Sequence, residues 1–516
     1  MKYLKRLLVA LGLLLPVAVW SQGLELHIIE YVNLYYNATS KTLYLAQTTE
    51  WCTKNTLAFI PNTLESGTCV ASEEIDNSSS TGTVSFLIQD LLRVYWKHDN
   101  ADASKYQSTT VKLASDIDFD GRLILDTDAN EYKCSSNYFG TDFFGKVFDG
   151  SGKQISHICG VSNAGEWTSP MGLFNSISDG VVKNIKLDSV DFIILRKTSG
   201  GTSVSADEKD YHPVGGLAGY IENSQVENIS LGYVNVSAPF AGGLAGYVEK
   251  STFKDIKTTT DGAIIVTNDI VLTKNNDNSK MGTYKTVLGG LAGSSKFSTF
   301  ENIALNLYLE NSAMVDSSAI GGVAGLYVYA DEYESKPYLN QNIKITVPTT
   351  VKGPTGDVSG VFTGATSLGG VFGETKRVAG NSNGNTRLYI DDVQVTNMKA
   401  SATKVAGSKP IGVYWGGVVG KSDLCLGGSL KISHSKANVK FDIMQGVNGT
   451  YKNYWGGIVG FAGCSTTDNF GSNDDLGLSL KYSKATGYMR LGEALRTRKS
   501  MRHLPLVDLL VKLCLQ

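Results

Sequence analysis

Three groups of residues carry side chains that could do chemistry. Asp116, Asp118 and Asp120 alternate ahead of Gly121 (DIDFDG). That spacing supplies positions 1, 3, 5 and 6 of a calcium loop. Position 12 is Thr127 where a bidentate Glu is needed, and no flanking helices are evident. In a strand the same three acids would share one solvated face, with Ile117 and Phe119 turned inward, and this is the reading adopted. Tyr414-Trp415 and Tyr454-Trp455 each stand directly before a glycine pair. Stacked in register, these aromatics form a sugar-binding platform if they face outward, or a packing ladder if they face inward. Asp391 and Asp392 are adjacent, and adjacent strand residues point to opposite faces, so they cannot by themselves form the facing pair of a glycosidase.

Other catalytic and metal chemistry lacks its residues. HExxH and CxxC are absent, and the six histidines are scattered. No zinc site or cofactor is expected. The formal net charge of −2 offers no global basic surplus for nucleic acid.

These residues are embedded in a repeat. The first copy is GGLAG, with Gly215, Gly216 and Gly219. GGLAG returns with Gly242, Gly243 and Gly246, and again with Gly289, Gly290 and Gly293. GGVAG follows with Gly321, Gly322 and Gly325, then GGVFG with Gly369, Gly370 and Gly373. The last copies are GGVVG, with Gly416, Gly417 and Gly420, and GGIVG, with Gly456, Gly457 and Gly460. No GK[ST] follows any of them, so they are structural glycines, expected at tight corners or at positive φ. Alternating segments such as VENISLGYVNV, TFENIALNLYL and RLYIDDVQV come after the pentads. Each repeat offers one or two short strands, too little to bury an apolar face alone. Stacking each strand on its equivalent builds one continuous core. Asn184, Asn228, Asn302 and Asn342 precede apolar residues at equivalent places and are expected to stack as an amide ladder. First-glycine spacings of 27, 47, 32, 48, 47 and 40 residues require loops, around 267–285, 329–338, 376–385 and 464–475. Such loops are natural recognition elements.

The flanks complete the organisation. Lys2, Lys5 and Arg6, the apolar run 7–20, and Val19 and Ser21 before Gln22 make a signal peptide of residues 1–21. The apolar run is shorter than the ~20 residues of a membrane span, so the mature chain is expected to lack a transmembrane helix. Residues 22–105 read as a small β-rich region in which 86–96 (FLIQDLLRVYW) has helical spacing suited to capping a stacked core. Residues 106–488 hold the repeats, and 489–516 form an atypical basic and apolar tail, either a cap or a segment unrelated to the rest. Seven cysteines in an exported chain permit disulfides. Sequence neighbours suggest Cys52–Cys69, Cys134–Cys159 and Cys425–Cys464, although spacing does not prove connectivity. High glycine, 56 of 516 residues against a usual ~7%, and 25 tyrosines fit a β-rich exported protein.

The order DIDF, then F-DG-G-K-I-S, then GLF, then V-KN-I-L-V resembles the entry coils of exported right-handed parallel β-helix proteins. The GG[LVI]xG copies resemble the GLUG-type repeats of bacterial surface and secreted proteins. The resemblance spans roughly 106–488. It implies an all-β, right-handed parallel β-helix at the cell surface or outside the cell, and it says little about activity. The expectation is a non-catalytic adhesin binding extracellular polysaccharide, host glycan or surface protein through Tyr414, Trp415, Tyr454 and Trp455. The rivals are a β-helix polysaccharide lyase or glycoside hydrolase, and a passive stalk.

Overall fold

The computed structural model describes most of residues 110–491; the longer interior segments outside it are 204–211, 271–285, 331–337, 379–386, 404–412, 445–453 and 464–476. Beyond that range it describes strands Val32–Asn37, Thr42–Gln47, Thr68–Cys69 and Leu504–Pro505. Every described element is a strand. The signal peptide, the 86–96 helix, Cys52, Cys425, Cys464, Thr127 and most of the expected recognition loops lie outside the described residues.

The chain is a parallel β-helix. One coil runs through a short corner strand, Phe240–Gly242, a bend, a second strand, Ala245–Glu249, a turn, and a long strand, Thr252–Asn268. The next coil repeats this with Thr286–Gly289, Ala292–Lys296 and Thr299–Asn311. Equivalent strands pair in parallel, with Gly242 on Gly289, Ala245 on Ala292 and Phe253 on Phe300. The corner strands make a seven-stranded sheet, the second strands a nine-stranded sheet, and the long strands the main part of a nineteen-stranded sheet. Alternation sends Val226, Ile229, Leu231 and Val234 into the interior beside Phe253, Ile256 and Ile264 of the next coil. The third pentad residue, from Leu217 and Leu244 to Val418 and Ile458, is buried at the bend in every copy. One apolar core therefore runs the length of the solenoid.

The pentad glycines act by close approach. None of them has positive φ, which corrects half of the sequence expectation. A Cβ on Gly325 would sit 2.6 Å from the carbonyl oxygens of both Ala319 and Leu288, on its own and the preceding coil. A Cβ on Gly216 would sit 2.5 Å from the Gly243 oxygen of the following coil. The glycines let backbone pack on backbone where the chain turns sharply between two sheets.

Left-handed backbone occurs elsewhere, as a column along the long-strand sheet, within the strands of earlier coils and at the bends after Ser433 and Lys481 in the last two. Asn184, Asn228, Asp255, Asn302, Asn342, Asp392, His434 and Tyr482 all have φ between 48° and 57°, and the register of the flanking residues aligns them. Asn and Asp tolerate this conformation best. Their side chains also link the coils. Asn228 Nδ2 donates to Asn184 Oδ1 (2.6 Å), Asn302 Nδ2 to Asp255 Oδ1 (2.8 Å), and Asn342 Nδ2 to Asn302 Oδ1 (2.8 Å). The expected amide ladder is present. A second, buried ladder was not anticipated. Gly180 N donates to Ser224 Oγ, Ser224 N to Ser251 Oγ, and Ser251 N to Ser298 Oγ, while Ser224, Ser251 and Ser298 cap carbonyls of their own coils. These serines satisfy turn amides that the core would otherwise leave unpaired.

At the N-terminal end the hairpin Val32–Asn37/Thr42–Gln47 pairs through Thr42–Leu45 with Thr110–Leu113, covering an open edge with strands. At the other end Leu504–Pro505, within the tail, pairs antiparallel with Tyr488–Met489. The last long strand, Lys484–Leu491, runs three residues past the expected boundary. Cys134 and Cys159 form a disulfide that ties the hairpin Leu123–Asp126/Glu131–Cys134 to the long-strand sheet.

Candidate functional site

The four aromatic candidates divide by strand alternation. Tyr414 pairs in register with Tyr454, and Trp415 with Trp455. Trp415 is fully buried, its ring edge-on to Phe441 at 5.7 Å, and Trp455 packs against the same core. The tryptophans are thus an inward packing ladder, continuing the column of Val214, Ala241, Leu288, Ile320 and Leu368. The tyrosines face outward and are half-buried. Their rings lie 5.3 Å apart and within 6° of parallel. Phe461 meets both edge-on, at 5.4 Å from Tyr414 and 4.9 Å from Tyr454.

The second-strand sheet faces this tyrosine column with a column of its own, in which Glu374, Lys421 and Phe461 succeed one another on adjacent coils. Lys421 Nζ lies 3.0 Å from Glu374 Oε1 and 5.6 Å from the Tyr414 ring centroid. Ser367 Oγ donates to Glu374 Oε2 at 3.3 Å, which joins the two sheets across the crease. Glu374 is only 3% exposed. A carboxylate so buried needs both partners, because its desolvation exceeds what one contact returns. The result is a fixed aromatic and cationic surface at the C-terminal end of the solenoid. Tyr414 presents ring edge and hydroxyl, since Tyr454 covers one of its faces. No described corner strand follows Tyr454, so its outer face is the one suited to stacking.

The acidic candidates behave as a strand face. Ile117 and Phe119 are buried, while Asp116, Asp118 and Asp120 turn outward. Asp116 Oδ1 accepts from Gln154 N, and Asp118 Oδ1 accepts from Asp120 N and meets His157 Nδ1 at 2.8 Å. Asp120 pairs with Arg122 at 3.4 Å. The three carboxylates do not converge, and the described residues contain no grouping of His, Cys, Asp and Glu that would hold a metal.

Asp391 and Asp392 both face solvent, against the alternation expected of neighbours. Asp392 occupies the left-handed column, and that kink interrupts the period of two. Asp391 accepts from Ser433 Oγ (2.7 Å) and contacts His434 Nδ1 (2.9 Å). Burial acts to raise its pKa, but the Ser433 and His434 contacts outweigh it and hold the carboxyl below the usual range.

Sequence reasoning passed over Asp191, on the outward face of the long-strand sheet. It is 8% exposed and accepts from Asn235 Nδ2 at 2.9 Å on the next coil. Burial pushes its carboxyl up to about 6, against the lowering influence of Asn235 and of nearby His157. Its only signal in the sequence was an acid in the otherwise apolar run VDFIIL.

No protein-family model, no curated protein and no solved structure matches this chain.

Proposed function

We propose that this chain is an exported surface or secreted repeat protein that binds extracellular glycan without transforming it. The observation that supports the reading is the outward pair Tyr414/Tyr454, parallel and half-exposed, braced by Phe461 and flanked by Lys421. A braced aromatic pair loses little side-chain entropy when a sugar ring stacks on it. The resemblance to GLUG-type surface repeats and the signal-peptide pattern of residues 1–21 agree with an extracellular ligand. Glycan-array and insoluble-polysaccharide retention of the full chain test this. Tyr454→Ala, which frees no core volume, abolishes retention on neutral glycans, and Tyr414→Ala weakens it. Unchanged retention in both variants, or no retention of the parent chain on any glycan, refutes the reading.

A catalytic reading has one specific observation in its favour, the buried Asp191 carboxyl beside the Asp118–His157 pair. It requires release of unsaturated or reducing sugar ends, lost in Asp191→Asn. The passive-stalk reading draws on the inward Trp415 and Trp455, and it requires that no glycan be retained at all.

A further inference from the structure

The last three long-strand coils carry a surface quite unlike the rest of that sheet. Their outward side chains include Lys399, Lys431, Lys436, Lys440, Lys481 and Lys484 against Asp391, Asp392 and Asp442. Asp391 is already engaged by Ser433 and His434. None of the six lysines pairs with a carboxylate among the described residues. On earlier coils the same face mixes its charges, as in the Lys254–Glu301 pair at 3.8 Å.

Register brings these cations together. Lys399 lies beside Lys440, and Lys436 beside Lys484, as direct neighbours on adjacent strands. Adjacent strands are about 4.8 Å apart, and like charges set side by side at that spacing are destabilising. A fold that needed only solubility would alternate the signs. Aromatic rings are interleaved with the cations. Lys431 Nζ lies over the Tyr389 ring at 5.7 Å, and Lys440 Nζ over the Tyr488 ring at 5.9 Å. His434 stacks on Tyr482 at 5.3 Å and 11°, and the Tyr482 side of that stack is open, with the residue 81% exposed.

We infer that this face, from Lys399 to Tyr488, is a docking surface for an anionic polysaccharide lying along the solenoid axis. Pairs of point charges one strand apart suit a linear polymer with one carboxylate or sulfate per sugar, and Tyr482 and Tyr488 offer rings for the sugars. A duplex nucleic acid is a poorer fit. It carries one charge per ~1.7 Å, and its base edges are reached by a helix or ribbon entering a groove, where this face presents a broad sheet. The surface is separate from the Tyr414/Tyr454 crease and does not depend on glycan binding there.

The test is retention of the full chain on immobilised polygalacturonate, with neutral dextran and duplex DNA as competitors, between 50 and 500 mM salt. The expected result is retention that falls steeply with salt, resists dextran, and yields to DNA only at excess charge. Lys436→Glu/Lys484→Glu weakens it at least tenfold, while Lys186→Glu, exposed on an early coil of the same sheet, leaves it unchanged. Both lysines are exposed, and an unchanged far-ultraviolet circular dichroism spectrum verifies that the double variant keeps its fold. Three results each overturn the inference: parent-like retention of the double variant, no retention of the parent chain, or displacement by DNA at lower charge equivalents than free polygalacturonate.

Discussion

Replacing Gly325 by alanine and by asparagine separates the two reasons a glycine can be required. A Cβ at Gly325 lies 2.6 Å from the oxygens of Ala319 and Leu288 and 2.8 Å from Val287 Cγ1. Ordinary contact begins near 3.4 Å, so the neighbours must yield by 3.4 − 2.6 = 0.8 Å. They belong to two coils, and no single displacement relieves both. The expected cost of Gly325→Ala is about 3 kcal/mol or more, at the upper end for overpacking. Asparagine, being larger, costs more. Gly152 is the internal control, with φ of 76° and nothing within 4 Å of its Cβ. There asparagine, which tolerates left-handed backbone, is milder than alanine. Urea-unfolding midpoints of the four variants give the order, supported by hydrogen exchange at strands Thr286–Gly289 and Ala324–Ala330, because stacked repeats need not unfold in one step. A Gly325→Ala chain as stable as the parent, or an asparagine milder than alanine at that site, refutes close approach as the reason for the pentad.

Further outcomes follow from the same geometry. Asp191 has its carboxyl raised in the folded chain, so its contribution to stability is present below pH ~4 and is lost as pH rises through about 6. The loss is on the order of 2–3 kcal/mol. Asp191→Asn, which keeps the hydrogen-bonding shape beside Asn235, therefore stabilises the chain at pH 8 and not at pH 4, as thermal melts at the two pH values will read. Trp415→Ala opens a cavity in a fully buried site and costs about 3–5 kcal/mol in urea unfolding, with weaker glycan binding only through loss of fold. Asn302→Ala removes two ladder hydrogen bonds and strains the left-handed backbone, costing about 2 kcal/mol. Asn302→Gly costs less, and the difference between the two midpoints isolates the backbone share.

The architecture was legible because it depends on repetition. Seven pentads followed by alternating strands leave stacking as the way to bury Val226, Phe253, Phe300 and their equivalents. The Asn ladder was legible for the same reason, since one residue type recurred at one place. The role of the glycines was only half legible. A glycine in the sequence states that a Cβ is unwelcome without stating whether φ or a neighbour excludes it. The column that does have positive φ held Asn and Asp, and then His434 and Tyr482, so its continuation was hidden by changing residue types. The Tyr-Trp pairs were visible, but which member faced inward depended on strand phase, set by the corner and not by local composition. Phe461 and Lys421 lie 7 to 47 residues from the tyrosines they meet, and Glu374 lies 47 residues from Lys421, so only coil register unites them. The lysine face escaped notice because a net charge of −2 averages over a chain whose charges are segregated by coil.

In-register stacking underlies every one of these inferences, and a single distance tests it. Glu227 is joined to Lys481 through Lys254, Glu301, Gln341, Asp391 and Ser433, each the direct neighbour of the next. Six strand spacings of about 4.8 Å put the two backbones about 29 Å apart. Nitroxide side chains introduced at Glu227 and Lys481 and measured by pulsed electron spin resonance should give one narrow distribution near that value. A broad distribution, or one centred beyond about 40 Å, well outside six strand spacings, would contradict the stacked solenoid and every surface built on it.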